Sequence, residues 1–76
     1  MSHKSKLMWR CRRGVKELDV VLTKYLESSY DTANATDKQA FESLLEYQDP
    51  DILRYLLRQE EPVDKKIVRI IEIIRA

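Results

Sequence analysis

A chain of 76 residues, 43% hydrophobic and 36% charged, makes one domain at most and buries only about 60% of the surface its unfolded form exposes. A core that thin supplies about 3–5 kcal/mol unless a disulfide, a metal or a partner adds to it, and with Cys11 as the only cysteine and His3 as the only histidine there is neither a disulfide nor a zinc cluster. The formal net charge of +1 conceals an asymmetry: residues 1–16 carry six bases and no acid, residues 17–64 a net of −8, and residues 65–76 a net of +3.

Along the chain, residues 1–4 read as a tail. Leu7, Met8 and Cys11 then recur at the spacing of a buried helix face, and Gly14, the only glycine, breaks the pattern. A second helical stripe, Leu18, Val21, Leu22, Tyr25 and Leu26, runs to about Ser29, and residues 30–34 read as a loop. The third helix is expected to open on a capping box, with Thr36 accepting from the backbone three residues on and Gln39 reaching back, and to bury Phe41, Leu44 and Leu45. Asp49-Pro50-Asp51 marks the next start, with Asp49 as cap, Pro50 pre-set for the first turn and Asp51 at the positive end of the helix dipole. Ile52, Leu53, Leu56 and Leu57 follow on one side. Pro62 interrupts, Asp64 caps again, and Ile67, Ile70, Ile71 and Ile74 form the last stripe. The isoleucines suit a strand, but their three- and four-residue spacing and the lack of a second strand to pair with favour a helix. Five helices too short to persist alone must bury their stripes against one another, so the expected fold is all-α, a compact five-helix bundle spanning residues 1–76 as a single domain.

No unbroken apolar run exceeds three residues, far short of the roughly 20 that span a bilayer or of a secretory h-region, and the basic start does not read as a transit peptide. A bacterial cytoplasm is the expected setting. Catalysis fails on inventory. There is no glycine-rich phosphate loop, no nucleophile with a histidine base and no metal constellation, and the paired carboxylates Glu60-Glu61 and Asp49/Asp51 lack the cleft that would shift their pKa values. No catalytic residue and no metal site is therefore assigned.

The informative segment runs from Trp9 to Asp19. Projected on a helix, Trp9, Arg12 and Arg13 fall opposite the Leu7, Met8 and Cys11 stripe, so a tryptophan and two arginines face outwards together, the group types that anchor protein interfaces. Simpler structural roles stand beside that one: Trp9 in the core, Arg12 and Arg13 against the negative end of a helix, Gly14 as a helix terminator, and Glu17 as a first-turn acid.

Arg13-Gly14-Val15-Lys16-Glu17 resembles the Arg-Gly-x-x-Glu signature of the succinate dehydrogenase flavinylation factors, the bacterial SdhE type and its mitochondrial assembly-factor relatives. Trp9, Cys11 and Arg12 before it, Leu18-Asp19 after it, and Leu44-Leu45-Glu46 leading into Asp49-Pro50-Asp51 are similar as well, so the resemblance covers nearly the whole chain. Two positions depart from the family's pattern: Tyr55 stands where many relatives have tryptophan, and Glu60-Glu61 precedes Pro62 where a glycine is common. A monomer is expected, and the resemblance implies a non-catalytic protein that binds the flavoprotein subunit of succinate dehydrogenase, and often that of fumarate reductase. It promotes covalent FAD attachment there and holds no cofactor stably itself. On this reading Arg13, Gly14 and Glu17 carry the docking face, with Arg13 and Glu17 paired across the interface or with each other. Trp9 and Arg12 extend the face, and Asp19 and Asp49 are secondary candidates. The competing expectation is a small regulatory, antitoxin-like binder of nucleic acid through the basic N-terminal segment, which the acidic body disfavours.

Overall fold

A computed structural model describes residues 3–75. Five helices follow in order: α1 (His3–Cys11), α2 (Lys16–Ser28), α3 (Ala35–Leu44), α4 (Asp49–Leu56) and α5 (Lys65–Arg75). Among the described residues there is no strand, and the isoleucine-rich last segment is helix, as its spacing required. Of the expected tail, residues 1–2 lie outside the described residues, while His3 and Lys4 begin α1.

The stripes meet as their periodicity dictates. Leu7 and Cys11 of α1, Leu18, Leu22, Tyr25 and Leu26 of α2, Phe41 and Leu44 of α3, Ile52 of α4, and Ile67, Ile70 and Ile71 of α5 form one buried cluster. Phe41 sits fully buried within it, its ring 4.7 Å from that of Tyr25 and 5.9 Å from that of Tyr30. Tyr30 belongs to the segment expected to be an open loop, yet it is buried, because its ring fills the space beside Phe41 while its hydroxyl donates to Glu42 at 2.9 Å. α3 packs most closely on α5, and α1 on α2. A charged strut joins α3 to α5, the nearly buried Asp37 accepting from Arg69 Nε at 3.0 Å.

Helix ends follow local chemistry, with two corrections. Asp64 accepts from the Lys66 N–H at 2.8 Å and opens α5, as expected. The Thr36 and Gln39 capping box does not form. Asn34 accepts from the Asp37 N–H at 2.8 Å and starts α3 two residues earlier, since asparagine caps at least as well as threonine and the two added residues bring further backbone bonds. Asp49 is not a cap either, since α4 is preceded by Gln48 and Asp49 is already helical.

α4 closes on a Schellman arrangement, with the Gln59 N–H bonded to the Arg54 carbonyl at 2.9 Å and the Arg58 N–H to the Tyr55 carbonyl at 3.2 Å. The left-handed position falls on Arg58, at φ +60°, a conformation that costs an L-residue about 1–2 kcal/mol and glycine almost nothing. Arg58→Gly is therefore expected to stabilise the chain by about 1 kcal/mol and to raise its Tm by about 4–8 °C in a thermal melt. The exposed Arg58–Glu72 pair lost at 3.7 Å contributes little against that gain.

Candidate functional site

The signature residues lie where α1 gives way to α2. α1 stops at Cys11, and the Arg12 N–H closes the end on the Trp9 carbonyl at 3.1 Å. Gly14 then turns the chain at φ +83°, and Val15, in extended conformation, precedes α2 without any side-chain cap. Asp19, one turn into α2, reaches back to accept from the Arg13 N–H at 2.6 Å. A carboxylate near the positive end of α2 and a loop amide thus satisfy each other.

Because α1 ends early, Arg13 leaves the helical projection that put it beside Trp9 and Arg12. It turns inward towards the junction of α3 and α4, which corrects the expected outward position; of the two pairings open to it, that with Glu17 is not made. Its Nε donates to Asp49 Oδ1 at 2.7 Å, Nη1 to the carbonyls of Leu45 at 2.7 Å and Arg10 at 3.2 Å, and Nη2 to the carbonyl of Tyr47 at 2.5 Å. The side chain is only 16% exposed. The ends of α1 and α3 present carbonyls that no further helical turn can satisfy, and a planar guanidinium is the side chain whose donors reach several at once. Asp49 supplies the countercharge. The two junctions are thereby clasped together by one residue of the signature.

The remaining candidates face solvent, in two places. Trp9, 66% exposed, and the exposed Arg12 line one shallow depression with Ser5 and Met8. The core position open to Trp9 is not taken. Gly14 is exposed, and a Cβ built on it would meet no atom within 4 Å. Glu17 is also exposed, but it stands on the rim of a separate apolar groove between α2, α4 and α5 whose floor is Val21, Leu53, Leu56, Leu57 and Ile74. That groove was not foreseen. Its sequence signal was Val21 beside the Leu18 and Leu22 positions and the doubled Leu56-Leu57, which make the stripes wider than one helix contact can cover.

Chemistry within the site is quiet. Burial pushes the Cys11 thiol up to about 11, which keeps it protonated and unreactive near neutral pH. Among the described residues no group of three or more His, Cys, Asp or Glu side chains is placed to hold a metal, and no helix is long and apolar enough to cross a membrane. The basic N-terminal segment is partly neutralised by its own body: Lys4 pairs with Asp31 at 2.6 Å, Arg10 with Glu46 at 2.6 Å, and Arg13 with Asp49.

Comparison with known proteins places these features in a family. The family model described as the flavinator of succinate dehydrogenase matches residues 5–76. Similar proteins include the FAD assembly factor SdhE of Pectobacterium atrosepticum, 41% identical over 75 residues that cover 99% of this chain and 85% of that one. Those of Methylococcus capsulatus, 41% identical over 76 residues covering 100% and 92% of the two chains, and of Legionella pneumophila, 40% identical over 72 residues covering 95% and 90%, agree. These relatives are named as assembly factors and not as enzymes, in line with the non-catalytic reading of the sequence. With the clasp, the exposed junction, α2 to α5 and all of α1 but its first two residues inside the matched span, the chain belongs to the family of succinate dehydrogenase flavinators.

Proposed function

We propose that this chain binds the flavoprotein subunit of succinate dehydrogenase and promotes covalent attachment of FAD to a histidine of that subunit. The observation that carries the reading is the division of the signature itself. Gly14 and Glu17 stand exposed with Arg12 and Trp9 near them in sequence, while Arg13, Asp19 and Asp49 lie behind and hold the junction. A surface so arranged presents area, donors and an approachable backbone to another protein. Trp9 brings the aromatic anchor, Arg12 a fork of donors, Gly14 a backbone with no Cβ in the way, and Glu17 a negative charge beside an apolar groove.

In this mechanism the bond-forming groups belong to the partner. The chain contributes by holding the partner's domains around the flavin in the geometry that the reaction needs, and orientation of that kind is able to remove about 7 kcal/mol or more from a barrier. One copy acts on one subunit, within the bacterial cytoplasm. The flavoprotein of fumarate reductase is a second client on this reading. Nucleic acid is disfavoured, because half of the basic residues in the N-terminal segment are already engaged by acids of the same chain.

Titration of the purified chain into the purified flavoprotein subunit, followed by calorimetry, tests the reading. A one-to-one complex is expected, weakened by about 30-fold or more in Trp9→Ala, the loss typical of a central aromatic anchor. Failure of the wild-type chain to bind that subunit, with tight salt-sensitive binding to duplex DNA in its place, would sink it.

A further inference from the structure

Arg13 is the signature residue that the fold hides, and the manner of its burial suggests how the signature works. Arg13 has five donors to give, and four are committed: one to Asp49, two through Nη1 to the carbonyls of Arg10 and Leu45, and one through Nη2 to that of Tyr47. An arginine so engaged cannot reach a partner without breaking bonds that join three segments of its own chain. Beyond Arg13, the loop is held at its far end by Val15, which is half-buried against the core and whose carbonyl accepts from the Asp19 N–H at 2.9 Å, while Gly14 between them packs on nothing. No atom stands within 4 Å of the space outside Gly14, Val15 receives no side-chain cap, and glycine has the widest choice of backbone conformations. On the Arg13 side the restraints are the guanidinium and Asp19, which holds the Arg13 N–H.

We propose that Asp49 and Asp19 are positioning residues that act through Arg13: the Asp49–Arg13–Asp19 clasp fixes residues 12–15 in the shape that meets the flavoprotein, and Arg13 itself makes no contact with the partner. The proposal rests on the docking function argued above and explains why an arginine and an acid 36 residues apart serve one loop. A loop set in its binding shape before encounter loses less conformational entropy on docking, so breaking the clasp weakens binding although no contact with the partner is removed.

A double-mutant cycle decides between positioning and contact. Affinity for the purified flavoprotein subunit is measured for wild type, Arg13→Ala, Asp49→Ala and the double variant. Asp37→Ala serves as control, since it breaks the strut to Arg69 on the α3 and α5 side of the bundle. The clasp predicts that each single variant binds about ten-fold more weakly, that the double variant is no weaker than the weaker single, and that Asp37→Ala lowers Tm while binding within about two-fold of wild type. Three results overturn it: wild-type affinity in Asp49→Ala, losses that multiply in the double variant, or an equal loss of affinity in Asp37→Ala.

Amide exchange at Gly14 and Val15 in the free chain gives a readout that does not need the partner. Exchange is expected to quicken in Asp49→Ala, or in the milder Asp49→Asn should the alanine variant not fold, and to stay unchanged in Asp37→Ala. Unchanged exchange in the Asp49 variant also overturns the clasp. A wild-type chain that fails to bind the subunit removes the docking function and leaves this exchange comparison to judge the clasp by itself.

Discussion

Gly14→Arg is expected to reduce flavinylation of the partner subunit at least about ten-fold while the bundle stays folded, because interface residues of central importance cost about 2 kcal/mol or more when altered. Two effects separate cleanly at this position. The backbone adopts φ +83°, so any non-glycine residue is strained by about 1–2 kcal/mol, a loss visible as a lower Tm. Within the free chain a Cβ at this position meets no atom within 4 Å, so crowding at the backbone does not oppose the substitution. Gly14→Asn, whose residue type tolerates the left-handed region, pays the smaller strain and still adds a side chain to the docking surface. If flavinylation follows Tm across the glycine, asparagine and arginine series, Gly14 serves only the fold. If flavinylation falls with side-chain size while Tm does not, the partner approaches the backbone at this point.

Phe41→Ala is expected to unfold most of the free protein at room temperature. Phe41 is fully buried and holds the rings of Tyr25 and Tyr30, and a buried phenylalanine truncated to alanine costs about 3–5 kcal/mol. That equals the whole stability a core of this size supplies, about 3–5 kcal/mol. Phe41→Leu, which leaves less of a void, is expected to cost about 1–1.5 kcal/mol and to keep a cooperative transition. Urea unfolding followed by far-ultraviolet circular dichroism distinguishes them. A cooperative, near-native transition in Phe41→Ala would show that the core is not organised around this ring. A saturating partner adds stability by mass action, about 2.7 kcal/mol at 100 times Kd, so co-expression with the flavoprotein is expected to recover part of the Phe41→Ala protein.

The bundle was legible in the sequence because burial in so short a chain has one solution for each stripe. The spacing of Leu18, Leu22 and Leu26 or of Ile67, Ile70 and Ile71 leaves no other face to bury, and all six are buried. Asp64 was legible as a cap because nothing else competes for it. Asp49 was not, because its competitor lies 36 residues away: a carboxylate able to cap α4 is drawn instead to the Arg13 guanidinium, a tertiary partner that no local pattern contains. The inward turn of Arg13 was hidden for the same reason. Helical projection carries a residue around the axis only while the helix lasts, and α1 ends at Cys11, two residues before Arg13. The three acceptors on the guanidinium beyond Asp49 are all backbone carbonyls, which any residue type would supply and which sequence therefore cannot mark. Exposure of Trp9 was one of two open readings, and the decision came from the shape of the small core, which Leu7 and Cys11 already fill on that side of α1.

In-gel flavin fluorescence of the succinate dehydrogenase flavoprotein, from cells with and without this chain, tests the docking and flavinylation account most directly. The account predicts that covalent flavin on the subunit is lost or sharply reduced without the chain, returns with the wild-type chain, and does not return with Gly14→Arg. Undiminished covalent flavin in its absence would contradict the account.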